Sequence, residues 1–317
     1  MAKMEKRVYG LVGVGSYMSN WNADFTGRPK SISDGGIFGS DKALKYSVKN
    51  YWVQLGEKVL YYKSFIIPKK GDDKEKLQPR DLIERYHEIF ETELTDKTSS
   101  KEVLKHLFSA VDVLNFGATF AVKKQNISLT GVVQIGQGHN KYEESEVEVQ
   151  DILSPFRNSK KGNADASSLG KKIVSNEAHY LYPFSVNPHH YDEYIPLIEG
   201  FEGYTVEAYE KLREGFLRGA TALNTNSKAG CENEFALFVT CVAGSRLYLP
   251  QLDAYVKVTQ ADNGKVTYDC DALSSFLESV QTEIESIELF YNPYRIHVTH
   301  MPDFITTRHL YTNEVLT

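Results

Sequence analysis

Apolar residues recur along the chain with two different periods, and the switches between them mark out its elements. Residues 7–16 (RVYGLVGVGS) alternate β-branched or aromatic side chains with Gly10, Gly13 and Gly15. That pattern predicts a strand closely approached by a neighbouring element or by a bound molecule. Leu44, Val48, Tyr51, Trp52 and Leu55 fall on one stripe at helical spacing, predicting a helix over 41–55 that Ser40 or Asp41 can cap and Gly56 stops. Between the two, residues 18–39 are polar, carry glycines and are too many for an ordinary connection, a length at which loops are functional or disordered.

Further along, the pattern predicts a strand over 58–67, a charged turn over 69–76, helices over 79–93 and 100–110, and strands over 115–122 and 127–134. Residues 136–172 then turn to Gly, Ser, Asn and charges, among them Lys160 and Lys161. They are too polar to build core and predict an arm projecting from the body. A strand over 179–186, an amphipathic helix over 205–223 and a buried strand over 234–242 follow, and the tail adds a strand over 255–259, a helix over 273–284 and a strand over 287–298. Strand, helix, paired strands, helix, strand is the order of a ferredoxin-like unit, here with large insertions, so the fold class is α+β with the architecture shared by RNA-recognition modules. Tyr180 and Tyr182 share one face of their strand and are expected in the core rather than as stacking platforms.

Composition narrows the class. With 317 residues, 41% hydrophobic and 12% aromatic, the chain can bury a sizeable core and is too apolar to be disordered. The sequence has no run of about eighteen apolar residues and no export signal after its first ten, so a cytoplasmic protein without a membrane partner is expected. A net charge of −6 argues mildly against binding a polyanion until its distribution is considered. Residues 1–70 hold twelve Lys/Arg against five Asp/Glu, a balance of +7, so the other 247 residues carry −13. A basic portion on an acidic body predicts a localised polyanion site.

Motifs for nucleotide-binding loops, zinc proteases, serine hydrolases and dinucleotide folds are absent from the sequence. Cys231, Cys241 and Cys270 are an odd number at wide spacing, fit neither a disulfide framework nor a paired zinc site, and are read as core residues. Asp24, the carboxylate beside the basic helix in the long loop, could position a ribose hydroxyl or a metal-bound water, or close a turn; the turn is favoured. Lys42, Lys45 and Lys49, at i, i+3 and i+7, share a second face of the predicted helix. That face is read as lacking acidic i+4 partners, and it follows a loop bearing Arg28 and Lys30. The competing meaning is a solvated face on a metabolic or carbohydrate-binding protein.

Five segments in order resemble one family, the CRISPR-associated Cas-seven backbone subunits of Cascade surveillance complexes, and its type I-B branch in particular. Asn20-Trp21-Asn22-Ala23-Asp24 resembles the family's N-P-N-G-D loop, and Ser40-Asp41-x-x-Leu44-Lys45-x-x-Val48-Lys49 its S/T-D-x-x-L-K-R-x-I-R helix start. Asp112-x-x-x-Phe116-Gly117-Ala118 is similar to D-x-x-x-F-G-A, Thr130-Gly131-Val132-Val133-Gln134 to T-G-P-V-Q, and Tyr182-x-x-Ser185-Val186-Asn187-Pro188 to an aromatic strand ending in N-P. Residues 224–230 (NTNSKAG) look like a relaxed T-R-S-K-x-G. Trp21, Ala23, Tyr46 and Val132 depart from the pattern.

The resemblance implies a single unit over 1–317, shaped like a hand: an RRM/ferredoxin-like palm, a helical fingers insertion at 68–110 and a β-hairpin thumb within 135–180. It implies a non-catalytic subunit binding CRISPR RNA through Asn20, Asn22, Arg28, Lys30, Gly35, Gly36, Ser40, Lys42, Lys45, Lys49, Phe116, Gly117, Gln134, Ser227 and Lys228. Gly35, Gly36 and Gly39 would let the RNA backbone approach. No catalytic residue, metal ligand or cofactor is implied. The implied partners are CRISPR RNA, further copies of the chain, other Cascade subunits and, through guide pairing, target DNA. The alternative is a target-RNA endonuclease, like type III relatives, using Asp24.

Overall fold

The computed structural model describes residues 2–68, 76–157, 167–260 and 264–316. Strand β1 (Val8–Ser19) is buried on both faces: Val8, Val12 and Val14 point into one apolar cluster and Tyr9 and Leu11 into another, as the period of two requires. Helix α1 (Asp41–Gln54) follows, then the twenty-residue β2 (Ser167–Val186), helix α2 (Val206–Ala222), β3 (Cys231–Cys241) and β4 (Ile284–Tyr291). Among the described residues the main sheet has nine strands, with β4, β3, β1 and β2 adjacent in that order and the short strands 138–140 and 38–39 beyond β2. β1 pairs antiparallel with β2, from Val8↔Val186 to Ser19↔Ser175, and with β3, from Val8↔Thr240.

Helices α1 and α2 cover one face of this sheet, Val48 and Trp52 meeting Leu212 and Phe216 in the same cluster as Val12 and Tyr182. The helices come close because α2 presents Gly219, where a Cβ would stand 3.1 Å from the Val48 amide nitrogen. On the opposite face a small sheet (257–260, 266–269 and 296–299) and the helix Asp271–Ser279 pack against Tyr9, Leu11, Leu181 and Phe235.

Several predicted elements are redrawn by tertiary contacts. Of the strand expected over 58–67, only Phe65–Ile66 pairs, with Gln78–Pro79. Instead, the Leu60 and Tyr61 amides each donate to the Asp112 carboxylate at 2.8 Å, so this apolar run is held without a ladder. The strand expected from residue 115 starts as the helix Val111–Phe116, stopped by Gly117 at φ 77°, and becomes Gly117–Val122. The strand over 127–134 divides into Gln125–Thr130 and Val133–Ile135, and that over 287–298 into β4 and Ile296–Thr299, which belong to different sheets. The polar arm is joined to the main sheet, for Val147–Arg157 pairs along the Ser167–Ser175 half of β2. The predicted charged turn, apart from Lys76, and the basic pair Lys160-Lys161 lie outside the described residues.

The space beside the β1 glycines is taken by neighbouring parts of the chain. A Cβ on Gly10 would enter the Phe184 ring, and one on Gly13 would meet Phe235 at 2.8 Å. Tyr180, Tyr182 and the three cysteines are buried, as read.

Candidate nucleic-acid interface

The long loop between β1 and α1 folds into two turns. Asp24 Oδ1 accepts from Thr26 N and Thr26 Oγ1, each at 2.7 Å, and from Arg28 N at 3.0 Å. The bond from the Thr26 hydroxyl is the main reason its carboxyl is held below the usual carboxylate range. Asp24 thus closes the turn favoured for it. In the second turn Gly35, at φ 91°, donates to Ile32 O at 3.0 Å, while Gly36 N reaches Asp34 Oδ1 at 2.9 Å. The positive φ at Gly35 favours glycine. Gly39 has another purpose than backbone approach: a Cβ there would collide with the Tyr182 hydroxyl and the Trp21 indole. Trp21, one of the departures from the family pattern, is buried beneath the loop and donates from Nε1 to Tyr182 OH at 2.5 Å.

Asn22 and Asn20 tie the loop to its surroundings. Asn22 Oδ1 accepts from Ser40 N at 2.8 Å, joining the loop to the start of α1. Asn20 is buried and its side-chain amide donates to Gly27 O at 3.0 Å and to Ile173 O at 3.1 Å. Its backbone receives the segment after α2: Asn20 N donates to Ser227 O at 2.9 Å and Lys228 Nζ donates to Asn20 O at 2.6 Å. Burial lowers the Lys228 ammonium pKa from its ordinary value.

Loop, helix start and post-α2 segment together enclose a cleft of about 650 Å³. Its lining brings together Asn22, Lys30, Ser40, Lys42 and Lys228, five of the residues singled out in the sequence, with Asp24 as its one acidic member. Ser40 opens α1 without a side-chain capping bond. The first-turn amides of a helix are donors suited to an anion.

The lysine stripe does not act as one face. Lys42 is exposed and lines the cleft. Lys45 Nζ has an acidic i−4 partner after all, Asp41 Oδ2 at 3.0 Å; burial opposes the Asp41 charge, yet Lys45 keeps that carboxyl below its usual range. Lys49 Nζ sits 3.3 Å from Asp112 Oδ2, the two side chains 15% and 0% exposed. Burial pushes the Lys49 pKa down, against the pull of Asp112. Phe116 lies within 5.5 Å of Lys45 Nζ and 5.9 Å of Lys49 Nζ, and stacks on Trp52 at 5.5 Å. The helix-start and D-x-x-x-F-G segments therefore meet in space, but as packing. Gly117 makes the break before its strand, and a Cβ there would strike Leu129 O. Arg28 is exposed on the first turn, and Gln134, which donates to Gly131 O at 2.9 Å, lines a different cleft of about 450 Å³ with Tyr9, Asn187 and Tyr248.

Sequence reasoning assigned no site role to three aromatic residues of the cleft, Phe25, Phe38 and Tyr46. Two signals were available, Phe25 in the polar middle of the loop and Tyr46 four residues from Lys42. It also passed over a buried ionic cluster across β1. His179 is fully buried, with Nδ1 2.7 Å from Glu234 Oε1 and Nε2 3.1 Å from Glu177 Oε1; Tyr268 OH donates to Glu234 Oε1 at 2.5 Å. Burial works against a charged His179, but the carboxylates prevail and lift it to about 9. Among the described residues, no helix is long and apolar enough to cross a membrane, and no three His, Cys, Asp or Glu side chains cluster as metal ligands would.

With this geometry in view, comparison with known proteins places the chain. No curated protein matches it. A solved chain described as "CRISPR RNA-guided surveillance complex, pre-nicking" superposes with a TM-score of 0.54 at 13% identity, over 96% of each chain, and so shares the fold. Another, "CRISPR RNA-guided surveillance complex", gives a TM-score of 0.44 at 13% identity over 89% of this chain and 88% of the other. The family described as "CRISPR-associated protein Cas7" matches residues 6–274, from before β1 to within the helix Asp271–Ser279. The chain belongs to the CRISPR-associated protein Cas7 family.

Proposed function

We propose that this chain is a non-catalytic, CRISPR RNA-binding backbone subunit of a Cascade surveillance complex of the type I-B branch. Copies of it polymerise along one guide and present the guide for pairing with target DNA, alongside other Cascade subunits. One observation carries the reading: in a Cas7-family chain, the cleft beside the start of α1 gathers Lys30, Lys42 and Lys228 against a single carboxylate. Contacts of this kind hold phosphates and carry no sequence information, which the exposed bases supply by pairing.

The spatial order β3, β1, β2 and then 138–140 supports an RRM/ferredoxin-like palm. In this reading the helices Leu82–Phe90 and Ser100–Ser109 belong to the fingers at 68–110, and the ribbon of Val147–Arg157 with the first half of β2 to the thumb within 135–180. A non-catalytic role accords with Asp24, whose Oδ1 is engaged by three donors of its own turn.

The test is co-purification with RNA after expression beside a guide array. The wild type is expected to carry RNA, seen as a high 260/280 nm absorbance ratio, and Lys30→Glu with Lys42→Glu to lose it while folding normally. RNA retained by that variant would overturn the cleft as the binding site. Complementary RNA cut at regular spacing by the wild type and not by Asp24→Ala would replace the non-catalytic role with an endonuclease.

A further inference from the structure

We infer that Phe25 is a stacking platform for a nucleobase of the single strand held in the cleft; this rests on the RNA-binding reading above. Phe25 is fully exposed, more so than any other large apolar side chain among the described residues. An apolar side chain of this size left in water forgoes about 1.5–3 kcal/mol that burial would supply. It is also held in place, because it sits inside the turn closed by Asp24, flanked by the three bonds to Asp24 Oδ1 and by the Ala23↔Pro29 bridge. A restrained turn therefore presents a bare ring beside the cleft.

The surroundings select the occupant. The ring shares the cleft with Lys30, Lys42 and Lys228, so its partner offers both negative charge and an apolar face. A single-stranded nucleic acid does this in every nucleotide, phosphate for the lysines and a π face for the ring, and such stacking tolerates any base. The cleft's other exposed aromatic, Tyr46, already has one face against Tyr62, with centroids 5.5 Å apart and planes 12° off parallel. Among the described residues Phe25 has no ring partner, which leaves both its faces open. A protein neighbour would need acidic side chains spaced to meet the lysines as well as an apolar face for the ring, whereas each nucleotide carries both.

The experiment is titration of the purified full chain with labelled single-stranded RNA and with a matched oligomer lacking bases, at several salt concentrations. Phe25→Ala is expected to weaken binding to the complete RNA roughly 5- to 150-fold, the span of one lost stack at 1.4 kcal/mol per tenfold. Binding to the abasic oligomer and the salt slope are expected to stay as in the wild type, and Phe25→Trp to bind the complete RNA at least as well as Phe25. If Phe25→Ala binds complete RNA normally while Lys30→Ala with Lys42→Ala does not, the stacking role fails and the cleft stands. If the lysine variant also binds normally, the cleft reading fails and takes the stacking role with it. If Phe25→Ala binds RNA normally but loses self-association in light scattering, the ring anchors a neighbouring protein and the inference is overturned.

Discussion

Lys42 stands open beside the cleft, whereas one turn further along the same helix Lys45 is tied to Asp41, and two turns along Lys49 is sealed against Asp112. The three share residue type and helical spacing, and their surroundings give them opposite roles. At the far end a buried carboxylate, itself fixed by the Leu60 and Tyr61 amides, turns a lysine into a clamp between α1 and the segment leading to the helical insertion. At the near end the helix opens on a loop whose two carboxylates, Asp24 and Asp34, are engaged by its own amides, and Lys42 stays exposed. The difference teaches that the same residue type at helical spacing is a buried, paired charge where a carboxylate meets it and an exposed one where the helix opens on the cleft.

The sharpest way to break that contrast is Asp112→Ala. It strands the buried Lys49 charge and two backbone donors, and is expected to cost on the order of 3–5 kcal/mol in urea unfolding. A loss below about 1 kcal/mol would show that Lys49 is not a structural clamp and return it to the candidate RNA contacts.

The His179 cluster extends the contrast across the sheet. Its proton is held more tightly in the folded chain, where the pKa is about 9, than at the ordinary value of 6.5. The stabilisation is complete below about pH 6.5 and is lost as pH rises through 9, amounting to on the order of 3 kcal/mol at 1.36 kcal/mol per pH unit. Unfolding midpoints of the wild type should fall over that window, and those of His179→Gln should lack this component. A wild-type stability independent of pH from 6 to 9 would mean that the imidazole is neutral.

The cleft lysines are expected to show the smallest effect on stability. Lys30→Ala and Lys42→Ala should each shift unfolding by less than about 0.5 kcal/mol. Each should also flatten the salt dependence of single-stranded RNA binding by about 0.7 in log–log slope, one phosphate contact fewer. An unchanged slope would place the phosphates elsewhere on the chain.

Much of this molecule is legible in sequence, and where legibility ends is physical. Periodicity reports which side of an element is apolar, so β1, α1, α2 and β3 emerge within a few residues of their observed bounds. It does not report partners. The run at 58–67 looks like a strand because Val59, Leu60 and Ile66 are β-compatible, but its amides find Asp112 more than fifty residues away. Likewise the polar arm carries too little apolar patterning to show that it pairs along β2. At the site, short motifs located the loop, the helix start and the 227–228 segment, because each keeps local chemistry; Phe25 and Tyr46 escaped because aromatic residues read as core by default.

By itself the sequence determined the α+β order, the basic N-terminal portion, the turn at Asp24 and the family resemblance, all of which depend on neighbours along the chain. Only the tertiary structure decided which lysines remain free, that Gly39 makes room for Trp21 and Tyr182, and that Asn20, Lys228 and the start of α1 converge on one cleft. The reason is that pairing and burial of a charge depend on groups brought from distant parts of the chain, and no spacing rule encodes them.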